Sequence, residues 1–292
     1  MNINKLRGTG VALVTPFHKD GSIDFKGFKK LIERCIDGKI EYLVPLGTTG
    51  ESATLSVNEK RAIIDFVVEI ADKRLPIVLG LGGNSTQDVL NCIEDCSFEG
   101  IDAVLSVSPY YNRPSQKGIF QHYKMIGNEC PVPVLLYNVP SRTGSNIDAD
   151  TTIELANEVS NIIGIKEASG NLEKVMKIIS KKPKDFLVIS GDDILSLPII
   201  ACGGDGVISV ISNAFPKDFS EMVRLALAGN YDKARKLHYK LLEITHAIFV
   251  DGNPSGIKGL LSILNICSEN VRLPLMSVNK SVMNRFDAIL KN

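Results

Sequence analysis

Eight short apolar runs, each followed by an amphipathic stretch, constrain this chain more than any other feature. The runs are Val11–Thr15, Tyr42–Leu46, Ile77–Leu81, Ala103–Val107, Val134–Tyr137, Ile162–Lys166, Leu187–Ser190 and Val207–Val210. They are rich in Val, Ile and Leu and nearly continuous, as strands buried on both faces are. The intervening stretches have helical periodicity. Asp24–Asp37 sets Phe25, Phe28, Leu31, Ile32 and Cys35 on one face, and Val57–Lys73 does the same with Ile63, Ile64, Val67 and Ile70. Thr86–Phe98, Gln116–Glu129, Ala149–Val159, Leu172–Ser180, Ile194–Cys202 and Pro216–Ala228 complete the set, with Ser85 and Ser115 as N-caps. Strand then helix, eight times over, predicts an α/β fold, a (β/α)8 TIM barrel rather than an open doubly wound sheet. No glycine-rich dinucleotide fingerprint follows the first run; Thr15-Pro16-Phe17-His18 stands there instead. Residues 1–229 are assigned to the barrel. Residues 230–292 are assigned to a C-terminal helical extension built from Tyr231–Phe249, Ile257–Leu264 and Val278–Leu290, punctuated by Pro254 and Pro274.

Composition removes several classes of function. With 44% hydrophobic residues among 292, the chain has material for a large core and is not intrinsically disordered. Lys+Arg and Asp+Glu each total 33, so no global field draws it to nucleic acid or to an anionic membrane. No apolar run reaches the roughly 18 residues of a membrane span. The polar start, Met1 to Gly10, has no apolar signal core, which places the protein in the cytoplasm as an expectation. The six cysteines form no C-x-x-C pair and read as reduced structural thiols. The four histidines do not cluster, and no Cys/His spacing suggests a metal site.

In such a barrel the chemistry gathers at the C-terminal ends of the strands. Strand two delivers Gly47-Thr48-Thr49-Gly50-Glu51, strand five Tyr137 to Gly144, strand six Lys166 to Gly170, and strand seven Gly191-Asp192-Asp193. Lys166 is the most informative of these. It follows Ile162-Ile163-Gly164-Ile165, and period-two alternation puts it on one face with Gly164 and Ile162. If that face is the barrel interior, desolvation favours a neutral amine, the form a Schiff-base lysine needs. Otherwise Lys166 is a strand-end lysine reaching solvent or pairing with Glu167. Tyr137 ends the adjacent strand, where a phenol can relay protons for imine chemistry or simply cap the barrel. Thr48 and Thr49, between glycines, offer hydroxyls and backbone N–H groups to a small carboxylate, or serve only the turn. Arg142 can clamp a second carboxylate or stand as a solvated loop charge. Gly203-Gly204-Asp205-Gly206 reads as a tight turn, and Asp192-Asp193 as a helix cap.

With these residues assembled, the chain resembles the pyruvate-dependent class I aldolase superfamily over essentially its whole length. The resemblance rests on Gly-Thr-Thr-Gly-Glu at 47–51, Tyr-Asn-Val-Pro at 137–140 and Gly-Ile-Lys-Glu-Ala at 164–168. Within the superfamily it is similar to the dihydrodipicolinate synthases. The Thr48-Thr49 pair, the Pro109-Tyr110-Tyr111-Asn112-Arg113-Pro114-Ser115 loop and the Ser141-Arg142-Thr143-Gly144 segment carry that narrower likeness. It implies a lyase that condenses pyruvate with L-aspartate 4-semialdehyde in the first committed step of diaminopimelate and lysine biosynthesis. The alternative is another pyruvate aldolase acting on a sugar acid. It also implies Lys166 as the Schiff-base residue, with Tyr137, Thr48 and Tyr111 as a proton relay. Thr49, Arg142, Gly191 and Ile208 are implied as substrate-binding residues. No metal or organic cofactor is implied, because the lysine itself forms the electron sink. Tyr111 is implied to serve a neighbouring subunit of a homotetramer, a dimer of dimers. An L-lysine effector site is implied at Ser52, Ala53, Asn84, Asp88 and Tyr110. Val57 and Lys60 stand where sensitive family members have histidines, so weak inhibition is the expectation.

Overall fold

In the computed structural model, which describes residues 3–291, the eight apolar runs become eight parallel strands. Met1, Asn2 and Asn292, at the ends of the two expected segments, lie outside the described residues. The strands are β1 (Gly8–Ala12), β2 (Tyr42–Val44), β3 (Val78–Gly80), β4 (Ala103–Val107), β5 (Val134–Asn138), β6 (Ile162–Glu167), β7 (Leu187–Ser190) and β8 (Gly206–Ser209). Their order is β2-β1-β8-β7-β6-β5-β4-β3. A parallel bridge between Leu43 and Ile77 joins the two ends, so the sheet closes on itself. The helices are α1 (Phe25–Asp37), α2 (Val57–Ala71), α3 (Thr86–Glu94), α4 (Gln116–Glu129), α5 (Pro140–Thr143), α6 (Ala149–Glu158), α7 (Leu172–Lys181), α8 (Ser196–Ala201), α9 (Pro216–Leu227), α10 (Tyr231–Ala247), α11 (Ser255–Ile263) and α12 (Lys280–Lys291). One helix follows each strand around the outside, except that the one-turn α5 stands between β5 and α6; α10 to α12 come after the last unit. The fold is the (β/α)8 barrel that the alternation predicts, followed by C-terminal helices.

Local chemistry accounts for the helix starts. Ser56 caps α2 in a full capping box with Glu59, and Ser85 and Ser115 accept from the N–H groups of Asp88 and Gly118. Two cores result. Ala12, Val44, Leu105, Leu135, Ile189 and Ile208 fill the barrel, while Val11, Leu43, Val134 and Val188 face the helices. Helices α10 to α12 share the outer core with α1 and α9 through Leu241, Ile244, Leu260 and Phe286. Among the described residues no helix is long and apolar enough to cross a membrane. All six cysteines are free.

Several element boundaries differ from the sequence expectation, and so does one strand register. Strand β1 begins at Gly8 instead of Val11. Glycine at position 10 is what the barrel requires: a Cβ there would lie 2.1 Å from the Tyr42 ring. Strand β2 stops at Val44, and Leu46 turns to a positive φ of 57°. Along β6 the register slips between Val134 and Leu135, which pair with Ile162 and Gly164 and skip Ile163. This irregularity resets the alternation. Ile162 therefore packs outward, and Ile163 joins the interior with Gly164 and Lys166, contrary to the expected face.

One buried histidine makes stability pH-dependent. His122 on α4 is 4% exposed; its Nδ1 lies 2.8 Å from Thr86 Oγ1, and its Nε2 has no partner among the described residues. Burial pulls it down from 6.5 to about 4, so the native ring is neutral. As pH falls through 6.5 the unfolded chain takes up a proton that the native chain does not. Stability present above pH 6.5 is therefore lost down to about pH 4. Between those limits wild type is expected to lose about 3 kcal/mol relative to His122→Asn. Urea titrations of both proteins across the window check it; parallel curves would remove His122 as the cause. Asp193, pushed up by burial to about 6, acts with the opposite sign over part of the window, but it is common to both proteins and cancels.

Candidate active site

Tyr137 and Lys166 are register partners on β5 and β6. Each is 6% exposed, and the Lys166 Nζ sits 4.1 Å from the centroid of the Tyr137 ring. Among the described residues Lys166 has no carboxylate within ion-pair distance. Glu167 is held by Lys174 at 2.8 Å, which removes the pairing with Glu167 as an account of Lys166. Gly191, just past β7, lets the lysine lie flat: a Cβ there would fall 3.1 Å from Lys166 Cε and 2.6 Å from Ala168 Cβ. Ile208 on β8 is 1% exposed in the same interior cluster.

The Gly47–Glu51 segment forms one 3-10 turn over Thr48–Gly50. Its shape is fixed from three sides. Thr15 Oγ1 donates to Gly50 O at 2.7 Å, Asn253 Nδ2 donates to Thr49 Oγ1 at 2.9 Å, and Lys258 Nζ donates to Glu51. Thr48 and Tyr137 line one cavity of about 530 Å³. Gly80, Leu105 and Val107 of β3 and β4 line it as well, and it runs between α2 and α3 without Lys166 in its wall. Ser52, Val57, Lys60 and Asp88 lie along its wall.

Not every expected residue joins this group. Tyr111 is 89% exposed with a φ of 74°, and its N–H donates to Thr143 O at 3.2 Å, so its side chain leaves the strand ends of its own chain. Tyr110 is 41% exposed. Asn84 offers its carbonyl to Asn112 Nδ2 at 3.3 Å, and Ala53 lies on the short turn Ser52–Thr54; neither lines the cavity with Ser52 and Asp88. Arg142 stands on the one-turn helix α5, not in an irregular loop. It is exposed and its Nη2 donates to Asn253 O at 3.2 Å. Asp192 caps the segment before α8 as expected, through Ile194 N–H and Leu195 N–H. Asp193 does not: its carboxylate accepts from Val210 N–H and Ile211 N–H and fastens the end of β8.

Sequence reasoning missed Asn253, which bridges Thr49 and Arg142 and keeps a buried Oδ1 without a partner among the described residues. Its only sequence signal was the Asn-Pro dipeptide, which reads as a chain break. Reasoning also missed the partners of Glu167, because Lys174 is seven residues on and reaches it only when α7 packs back.

The comparisons with known proteins identify the family. Residues 5–292 match the model of the dihydrodipicolinate synthetase family. The chain belongs to that family. It is 54% identical to a 4-hydroxy-tetrahydrodipicolinate synthase of Flavobacterium psychrophilum, over 97% of both chains. Among solved structures it is similar to a monomeric dihydrodipicolinate synthase variant, with a TM-score of 0.96, 35% identity, and 99% and 98% of the two chains covered. It is also similar to the chloride-inhibited dihydrodipicolinate synthase of Acinetobacter baumannii complexed with pyruvate. There the TM-score is 0.95, the identity 38%, and 98% of each chain is covered.

Proposed function

We propose that this protein is a lyase that condenses pyruvate with L-aspartate 4-semialdehyde through an imine on Lys166, giving 4-hydroxy-tetrahydrodipicolinate. The observation that carries the reading is the buried Lys166 amine, packed on Tyr137 and without a carboxylate partner among the described residues. The amine adds to the ketone carbon of pyruvate, and the carbinolamine loses water to give the imine. Loss of a methyl proton gives the enamine, whose carbon adds to the aldehyde and leaves a hydroxyl. The amine of the semialdehyde then attacks the imine carbon, closes the six-membered ring and expels Lys166. Tyr137 and Thr48 share the cavity wall and move protons to and from the carbinolamine oxygen. Thr49 and the turn N–H groups receive the pyruvate carboxylate; Gly191 and Ile208 give the pocket its floor. The steps on this chain need no cofactor, since the imine nitrogen takes up the electron pair. Full-length identity to a named synthase favours this substrate over the sugar acids of the wider superfamily.

Reduction by borohydride in the presence of pyruvate tests the reading. A reduced three-carbon adduct on Lys166, found by peptide mapping, is expected; an adduct on another lysine ends it. The same experiment locates Arg142. Arg142→Ala is expected to keep the adduct while kcat/KM for the semialdehyde falls about thirtyfold. That corresponds to roughly 2 kcal/mol, the low end for a broken charge pair, because Arg142 is exposed. Equal loss in both steps would assign Arg142 to the fold or the pyruvate site.

The barrel of residues 1–229 and the extension of 230–292 make one subunit of a cytoplasmic homotetramer. Its tight pairs bring Tyr111 into a neighbour's site, a role that its exposure and left-handed φ support. For the effector groove we expect weak inhibition by L-lysine. Lys60 lines the cavity with Ser52 and Asp88 and repels a cationic effector, and Val57 offers no hydrogen bond. Initial rates at saturating pyruvate, titrated with L-lysine, check this; strong inhibition below a millimolar would reverse it.

A further inference from the structure

The two strand ends that carry Tyr137 and Lys166 carry a second pair of residues facing the other way. Asn138 follows Tyr137, Glu167 follows Lys166, and they are register partners as their neighbours are. Alternation sends their side chains outward, where α7 covers them. There Glu167, with its side chain 1% exposed, meets Lys174, 8% exposed, at 2.8 Å. Each Glu167 carboxylate oxygen lies 3.0 Å from Asn138 Nδ2, and Oε1 also accepts from Ser169 N–H at 2.7 Å. Lys174 Nζ donates further to Asn146 Oδ1 at 3.1 Å. Every strong partner of the carboxylate lies on the outer side of the strand.

A buried ion pair is often no more stabilising than an apolar pair of the same volume, so stability is a weak account of this one. Its position gives a better one. Glu167 is one residue from the amine that must lose its proton to attack a ketone. An unpaired carboxylate there would favour the ammonium form of Lys166. We infer that Glu167 and Lys174 are positioning residues forming a charge-neutral brace: Glu167 and Asn138 set the Tyr137–Lys166 spacing, and Lys174 prevents Glu167 from acting as the counter-ion of Lys166. The inference rests on the reading of Lys166 as the imine-forming residue. Other groups around Lys166 are few. β5 presents Tyr137, whereas β7 and β8 present Gly191 and Ile208, which do not titrate. Beyond them Asp193 is occupied by the N–H groups of Val210 and Ile211. All of these are unchanged in the variants below.

The readout is the pH midpoint of imine formation at Lys166, measured with pyruvate by borohydride quench and intact mass. Lys174→Gln exposes one negative charge and is expected to raise the midpoint by about one unit at an effective dielectric of about 20. Glu167→Gln exposes one positive charge and is expected to lower it by about half a unit, since the ammonium of Lys174 can turn toward solvent. The double variant is neutral again and is expected to return within about 0.3 unit of wild type, although it has lost the same ion pair. Opposite shifts that cancel support the brace, and a merely structural pair would not produce them. Shifts of one sign, no shift, or no return in the double variant overturn it. If Lys174→Gln fails to fold, Glu167→Gln and the double variant decide alone, because neither buries an unpaired anion. A midpoint unmoved in Glu167→Gln then refutes the inference. Absence of any pyruvate adduct at Lys166 in wild type is a different result: it refutes the reading of Lys166, and the inference falls with it.

Discussion

Lys166→Met is expected to abolish both the pyruvate adduct and condensation while leaving the protein as stable as wild type or more so. The two halves of this expectation have one cause. An amine 6% exposed, with no carboxylate within ion-pair distance among the described residues, is a poor choice for stability. Its contact with the Tyr137 ring at 4.1 Å returns about 0.5–2 kcal/mol, which does not offset the desolvation of a charge. Methionine has similar length, fills the space beside Gly191 and carries no charge. A rise in Tm of about 2 °C is expected for a chain of this size. Loss of the covalent route costs on the order of 10⁴-fold or more in kcat, because nothing else in the site forms an imine. A fall in Tm of several degrees would make Lys166 a structural residue, and retained turnover would end its assignment as the nucleophile.

What was legible in the sequence was whatever depends on neighbours along the chain. Continuous runs such as Ala103–Val107 announce a strand covered on both sides, and Ser115 before Gln116 announces a helix start; both stand where expected. The positions of Lys166 and Tyr137 at two strand ends were legible for the same reason, and pairing β5 with β6 then brings them together. What failed depended on contacts between distant segments. The apolar run starts at Val11, yet β1 starts at Gly8, and a closed barrel needs glycine at position 10 where Tyr42 crosses the interior. The slip at Val134/Leu135 reverses the faces of Ile162 and Ile163, and no local pattern signals it. Asn253 meets Thr49 across 204 residues, and Lys258 meets Glu51 across 207. Helical periodicity places Lys258 on an amphipathic helix, where the ordinary expectation is a solvated charge. Its full burial follows only from where α11 docks.

That docking carries the second large expectation: Lys258→Met is expected to lower the midpoint of thermal unfolding by roughly 6–15 °C. Both side chains of the Lys258–Glu51 pair are fully buried. The amine also donates to Asn270 O at 2.9 Å and lies 4.2 Å from the Phe17 ring centroid. Burial pulls Lys258 down while Glu51 opposes it, as a charge held by its partner in a dry site should behave. Removing the lysine leaves the Glu51 carboxylate with Arg272 N–H at 3.0 Å and no cation bonded to it. Breaking one side of a buried pair costs about 3–5 kcal/mol. The loss falls on the join between the turn after β2 and the C-terminal helices, so barrel and extension should unfold together in one transition. Glu51→Gln/Lys258→Met, which buries no charge, is expected to recover more than half of the lost midpoint. Scanning calorimetry of the wild type and the two variants decides it. Two separated transitions in Lys258→Met, or no recovery in the double variant, would mean that apolar contacts of α10 to α12 hold the extension and that the ion pair is incidental to it.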